Sequence, residues 1–203
     1  MRSLRYTIII IIIGIIVYFV AIWPQQKYFY AHHVKINGTY LIKPIEIDNF
    51  ALIDHRGNHF TRDNLKNHWT LIFFGFTRCS NVCPVTLNAL NHTYKTLQKM
   101  LPQKDLPQVI FVSIDPENDT LKQLNKYVKT FNPHFIGAIT SAEKIENIKK
   151  QFHIAVTKTQ GSLNHSPEVL LINPDTEIQA YFSYPIQPQQ MAKDYYAIIN
   201  KEK

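Results

Sequence analysis

The sequence is short of cysteine, of glycine and of blocks of like charge. Only two of its 203 residues are cysteine and only six are glycine. Two cysteines exclude a disulfide-built scaffold and a four-cysteine zinc site. The low glycine count excludes a collagen-like chain, and 45% hydrophobic residues exclude a disordered one. No run of five or more like charges occurs, which excludes a charged interaction tail. Basic residues outnumber acidic ones by 22 to 15, giving +7, but no nucleic-acid motif accompanies them. Scattered lysines such as Lys95, Lys122 and Lys149 read as a solvated surface. Anionic lipid head groups are the better functional reading, and no nucleic acid partner is expected. Long apolar runs are also scarce, so a polytopic membrane protein is excluded.

The single long run lies at the N-terminus. Tyr6 to Trp23 carries no charged side chain, with Arg2 and Arg5 before it and Pro24 and Lys27 after it. At about 1.5 Å per residue it reaches roughly 27 Å, close to the hydrocarbon thickness of a bilayer. It exceeds a signal-peptide core, and no small-x-small cleavage site follows Ala21, so an uncleaved transmembrane anchor is expected. The leading arginines keep the N-terminus cytoplasmic and send the remainder outside. The expected setting is a bacterial inner membrane, crossed once, with the C-terminal domain in the periplasm, where disulfides are permitted. The expected organisation is a cytoplasmic N-terminus and anchor over 1–23, a juxtamembrane stalk over 24–47 and one folded domain over 48–203. Part of the stalk, Gln25 to Lys43, also suits an added strand.

That domain alternates strand and helix patterns. Trp69–Phe74, Gln108–Ser113 and Val169–Ile172 are buried-type strands. Phe50–Asp54 and Gln179–Phe182 sit beside turn residues and read as hairpin halves. Helical spacing runs from Pro84 to Met100, from Asp119 or Thr120 to Phe131, after Ser141, and from Pro188 onward. The order predicts an α/β fold, a mixed sheet with flanking helices.

The two cysteines are the chemistry. They stand as Cys79-Ser-Asn-Val-Cys83-Pro, between a strand end and a helix start. Helix N-termini stabilise thiolate, and Arg78 adds a cation, so lowered thiol pKa values are expected. Three uses compete. A structural disulfide would close too short a loop to gain much. Redox exchange is a second use, with one residue more than the usual Cys-x-x-Cys. A soft metal site is the third, for which Cu(I) with an added imidazole is the natural choice. Of nine histidines, His165 stands out, just ahead of strand Val169–Ile172. His32-His33 is a weak second metal site, read first as stalk residues, and Asp115 reads as a turn or helix-start residue, with a role near the metal as the alternative.

Three segments together resemble the Sco/SenC family of membrane-anchored copper chaperones. Phe73–Pro84 is similar to its cysteine motif, Val112–Thr120 to its second motif, and His165-Ser166 with Leu171–Pro174 to its histidine block. The resemblance implies a thioredoxin-like fold with a hairpin insertion. It implies copper, as Cu(I) or Cu(II), held by Cys79, Cys83 and His165. The cargo would pass to the CuA centre of cytochrome c oxidase subunit II or another copper acceptor. Asn164 departs from the aspartate the family commonly places before its histidine. The alternative is a thiol-disulfide oxidoreductase acting on the cysteines of a copper site, with Cys79 attacking and Cys83 resolving. A thiol-disulfide reductase is then a partner. A metallochaperone without turnover is favoured, on the ligand type of His165. A copper sensor on the same fold is a third possibility.

Overall fold

The computed structural model describes residues 2–22, 36–159, 162–165 and 167–201, with the backbone alone at 2–5, 7, 9, 157–159 and 162–165. The chain divides into two units, Met1–Lys35 and Ile36–Lys203. In the first, helix α1 (Arg2–Val17) is followed directly by a π turn, Tyr18–Ile22. Its described isoleucines are exposed. Among the described residues no helix is long and apolar enough to cross a membrane. The α-helical ladder stops after 16 residues, where the wider π pattern takes over. Trp23, His32 and His33 lie outside the described residues.

The second unit is built on an eight-stranded mixed sheet. At its centre, β4 (Thr70–Gly75) runs parallel to β5 (Gln108–Ser113), and β5 parallel to β6 (Ile136–Ile139). β9 (Val169–Ile172) flanks β4 antiparallel, pairing Phe73 with Val169. β10 (Glu177–Phe182) and then β1 (Thr39–Glu46) extend that side. The hairpin of β2 (Ala51–Asp54) and β3 (His59–Thr61) closes the other. Both hairpin readings are thereby met. β1 lies inside the segment 24–47 expected to be a stalk, so the sheet begins before residue 48. Its Pro44 has no N–H to offer a ladder, and an edge strand with a register shift between Tyr40 and Ile45 tolerates that.

β4 is buried at every position because helices cover both faces of the sheet. Ile72 and Phe74 point to one face, where Phe74 meets Phe152 at 5.3 Å between ring centroids. Phe152 ends helix α4 (Ala142–Gln151), whose N-cap is Ser141 as expected. Phe73 and Phe111 point to the other face. Three helices belong to that side: α2 (Val82–Met100), α3 (Leu121–Phe131) and α5 (Pro188–Lys201). Thr120 caps α3 in a capping box with Gln123. A separate hairpin, β7 (Val156–Thr159) with β8 (Ser162–His165), precedes β9. It occupies a stretch whose sequence shows no strand pattern.

Candidate metal and redox site

The site is built where β4 runs out. A central parallel strand delivers its C-terminal end to the crevice where such sheets place ligands. Gly75 ends β4, and its carbonyl accepts the N–H of Ile114 at 2.8 Å, tying the loop to the end of β5. A Cβ on Gly75 would lie 2.7 Å from the Phe111 ring and 2.9 Å from the Cys83 sulfur. Only glycine lets ring and sulfur approach this closely.

The next residues are clamped by one carboxylate. Asp119, buried just ahead of α3, accepts the Thr77 backbone N–H at 3.1 Å and the Thr77 hydroxyl. It also accepts the Ser113 hydroxyl at 2.6 Å. Asp115 adds a second tie: its carboxylate takes Arg78 Nη2 at 2.9 Å and Asn118 Nδ2 at 2.8 Å. The motif Val112–Thr120 is therefore the frame of the cysteine loop. The sequence offers Asp119 or Thr120 as the helix cap, and Thr120 holds that role.

Cys79 is half-exposed and Cys83 is fully buried. Helix α2 starts at Val82, two residues before Pro84, so Cys83 sits inside the first turn. Proline is tolerated there because first-turn N–H groups have no intrahelical acceptor. The Cys83 N–H donates to Cys79 Sγ at 3.3 Å. The expectation of lowered thiol pKa values fails at Cys83. Its hydrogen bond with the Cys79 sulfur pushes it up most, and burial adds to that. A proton on Cys83 thus serves the sulfur of Cys79, which is the one facing solvent.

His165 ends β8, where its backbone pairs with Val156. Its side chain lies outside the described residues, as do those of Asn164 and Ser166. Four residues later Val169 pairs with Phe73, two residues before the end of β4. The chain carrying His165 therefore enters the sheet beside the strand end that launches the cysteine loop. Among the described residues no group of three His, Cys, Asp or Glu side chains converges. His59, His68, His92, His134 and His153 are exposed, as expected of surface histidines. His55 departs from that pattern and is buried.

A thioredoxin-like α/β domain with two adjoining sulfurs at a helix N-terminus defines a thiol-based metal or redox protein. More narrowly, the chain belongs to the SCO1/SenC family, whose profile matches residues 41–200. It is 31% identical over 177 residues to a SCO2-like protein of Rickettsia conorii, covering 82% of this chain and 78% of that protein. Its fold is similar to that of apo Sco1 from Thermus thermophilus, with a TM-score of 0.71 and 30% identity, over 81% of this chain and 97% of that one. It is likewise similar to Arabidopsis thaliana ScoI with copper bound, with a TM-score of 0.70 and 28% identity, over 76% of this chain and 98% of that one.

Proposed function

We propose that this protein is a copper carrier in cytochrome c oxidase assembly, delivering copper to the CuA centre of subunit II. The observation that carries the reading is the sulfur pair, with Cys83 N–H on Cys79 Sγ at 3.3 Å, set on a loop clamped to the sheet. Two thiolates suit Cu(I), and one imidazole added to them makes Cu(II) tolerable. Cys79, Cys83 and His165 are the proposed ligands. Copper as the cargo is supported by its presence in related structures. The oxidase role is supported by family membership, since Sco proteins are cytochrome c oxidase assembly proteins. A site on a loop and a hairpin end can exchange ligands with an acceptor without opening the core.

We further propose that residues 2–22 anchor the chain in a membrane, with the domain on the outer face of a bacterial inner membrane. The charge-free run after Arg5 and its exposed isoleucines support this. Sedimentation with membranes, and release by detergent but not by salt, tests it. Recovery in the soluble fraction would overturn it.

The asymmetry of the pair favours one alternative, thiol-disulfide exchange. Cys79 would attack a target disulfide and release one target thiolate. Cys83 would then displace the second, leaving Cys79–Cys83 oxidised and the target reduced by two electrons. A reductase would return the pair to thiols. Competition titration with Cu(I) separates the two readings. One copper per chain, lost in Cys79→Ser, Cys83→Ser and His165→Ala, supports the carrier. Weak binding indifferent to His165→Ala would sink it and favour the reductant.

A further inference from the structure

One buried hydroxyl next to the cysteine pair makes no hydrogen bond. Tyr127 stands on α3, and its phenol oxygen is buried without a partner. Its ring packs on Phe111 at 5.5 Å and on Phe131 at 5.3 Å between centroids. Phe111 in turn shares with Cys83 Sγ the small space left by Gly75. The hydroxyl is thus held against the cysteine side of the sheet by a ring that itself touches the site. Burial, followed by the charges of Cys83, Cys79 and Asp119, holds the phenol above its ordinary range. It therefore keeps its proton and is a donor. Leaving such a donor unused inside a protein is costly, so a partner in some state of the site is expected.

Thr86, the other unpartnered hydroxyl nearby, is a different case. It lies one turn along α2 from Cys83, and rotation of χ1 offers it the carbonyls of its own helix. Tyr127 has no such local acceptor.

We propose that Tyr127 is a positioning residue for copper, its O–H donating to the sulfur of Cys83 when that sulfur becomes a thiolate. This rests on the carrier reading above. With both thiols protonated, Cys83 makes its hydrogen bond with Cys79 and has little to offer an incoming donor. Copper ligation displaces both protons. The Cys83 sulfur then becomes a charged acceptor inside the protein, and among the described residues the phenol is the buried donor on this side of the sheet with neither a partner nor a local acceptor. Such an O–H···S bond stabilises the thiolate and draws charge from the sulfur, which tunes how tightly it holds the metal.

The test compares the full chain in detergent micelles with Tyr127→Phe and Thr86→Val. For Tyr127→Phe, Cu(I) affinity by competition should fall about tenfold. The sulfur-to-Cu(II) charge-transfer band should move to lower energy. The metal-free thermal midpoint should hold or rise, because phenylalanine fills the same space and removes the unused hydroxyl. Thr86→Val should leave the band in place. Unchanged affinity and band in Tyr127→Phe would overturn the proposal, and a band shift in Thr86→Val alone would transfer the role to Thr86. A wild-type chain that binds no copper would overturn the carrier reading and this proposal with it, whereas copper binding that Tyr127→Phe leaves unchanged overturns this proposal alone.

Discussion

Two buried aspartates each hold a loop in this domain, and they do it at different ranges. Asp54 ends β2 and builds its own turn. It accepts the backbone N–H of Arg56 at 2.8 Å and of Asn58 at 2.9 Å, and the Asn58 side chain at 3.2 Å. Gly57 completes that turn with φ of +91°, a left-handed angle that favours glycine. Asp119 builds nothing local. It reaches Thr77, 42 residues earlier, and Ser113 at the end of the adjacent strand. The first carboxylate shapes a hairpin that needs little else. The second fixes a loop whose residues carry chemistry and whose own sequence would not fix it.

The comparison predicts unequal costs. Asp119→Ala leaves the Thr77 N–H, the Thr77 hydroxyl and the Ser113 hydroxyl without their acceptor. We expect about 3 kcal/mol less stability in denaturant titration, because buried donors lose a charged partner. Cu(I) affinity should fall about tenfold as well, since the cysteine loop loses its frame. Asp54→Ala should cost about 1 to 2 kcal/mol, because its donors sit in an exposed turn where water replaces the carboxylate. Its copper affinity should match wild type. Equal losses of copper affinity in the two variants would break the distinction between a loop-building and a loop-positioning carboxylate.

The same contrast explains what the sequence discloses. The turn at 54–58 is readable because every partner lies within four residues. So are strands β4, β5 and β9, whose unbroken apolar runs require burial on both faces. Cys79 and Cys83 are visible from their place between a strand and a helix, and Asp115 as a turn or helix-start residue with a role near the metal as the alternative. Asp119, Ser113 and Tyr127 carry no local signal of their roles, which come from the pairing of β4 with β5 and the packing of α3 on Phe111. Asp119 reads from sequence as a candidate helix cap, and the likeness of Val112–Thr120 to a family motif covers both Asp119 and Ser113, but neither signal shows what the two hold. β1 is legible only as an added strand somewhere in 25–43, and the β7–β8 hairpin only as an insertion the family resemblance implies, for another reason. Their side chains do not alternate cleanly between apolar and polar, and backbone pairing makes those strands.

Acid should act on the hairpin end through two neighbouring groups. His55 is held below its ordinary value of 6.5, first by burial and then by the charge of Arg56, with Asp54 pulling the other way. Its Nδ1 accepts the Gly137 N–H at 2.9 Å, which requires the neutral ring. The unfolded chain takes a proton as pH falls below 6.5 while the folded chain does not. The stability tied to His55 is therefore complete above that pH and is lost as pH falls toward the folded value. Burial alone would raise Asp54, but the bonds from Asn58 and Arg56 outweigh it and hold it below 3.8. Its contribution disappears at lower pH, as the carboxylate protonates in the fold. Urea midpoints from pH 8 to pH 5 should fall in wild type, with a shallower slope in His55→Asn, whose amide oxygen can take the Gly137 bond without titrating. An unchanged slope would show that His55 does not set it.

The smallest expected effect is at Arg78, and it sharpens the comparison at the site itself. Its guanidinium meets Asp115 at 2.9 Å, but the arginine side chain is 58% exposed while that of Asp115 is 7% exposed. An ion pair with one end in water contributes little, so Arg78→Ala should change stability by about 0.5 kcal/mol or less. Asp115 keeps its bond from Asn118, so the frame around Ser113 and Thr77 stays closed. What the variant removes is a positive charge beside Cys79. Alkylation of the reduced pair should slow about threefold in low salt, and the difference should vanish near 1 M salt, where the Debye length is about 3 Å. A large stability loss instead would place Arg78 with Asp119 in the loop's frame. A rate difference that survives high salt would point to a direct contact with the sulfur rather than to the field of a solvated charge.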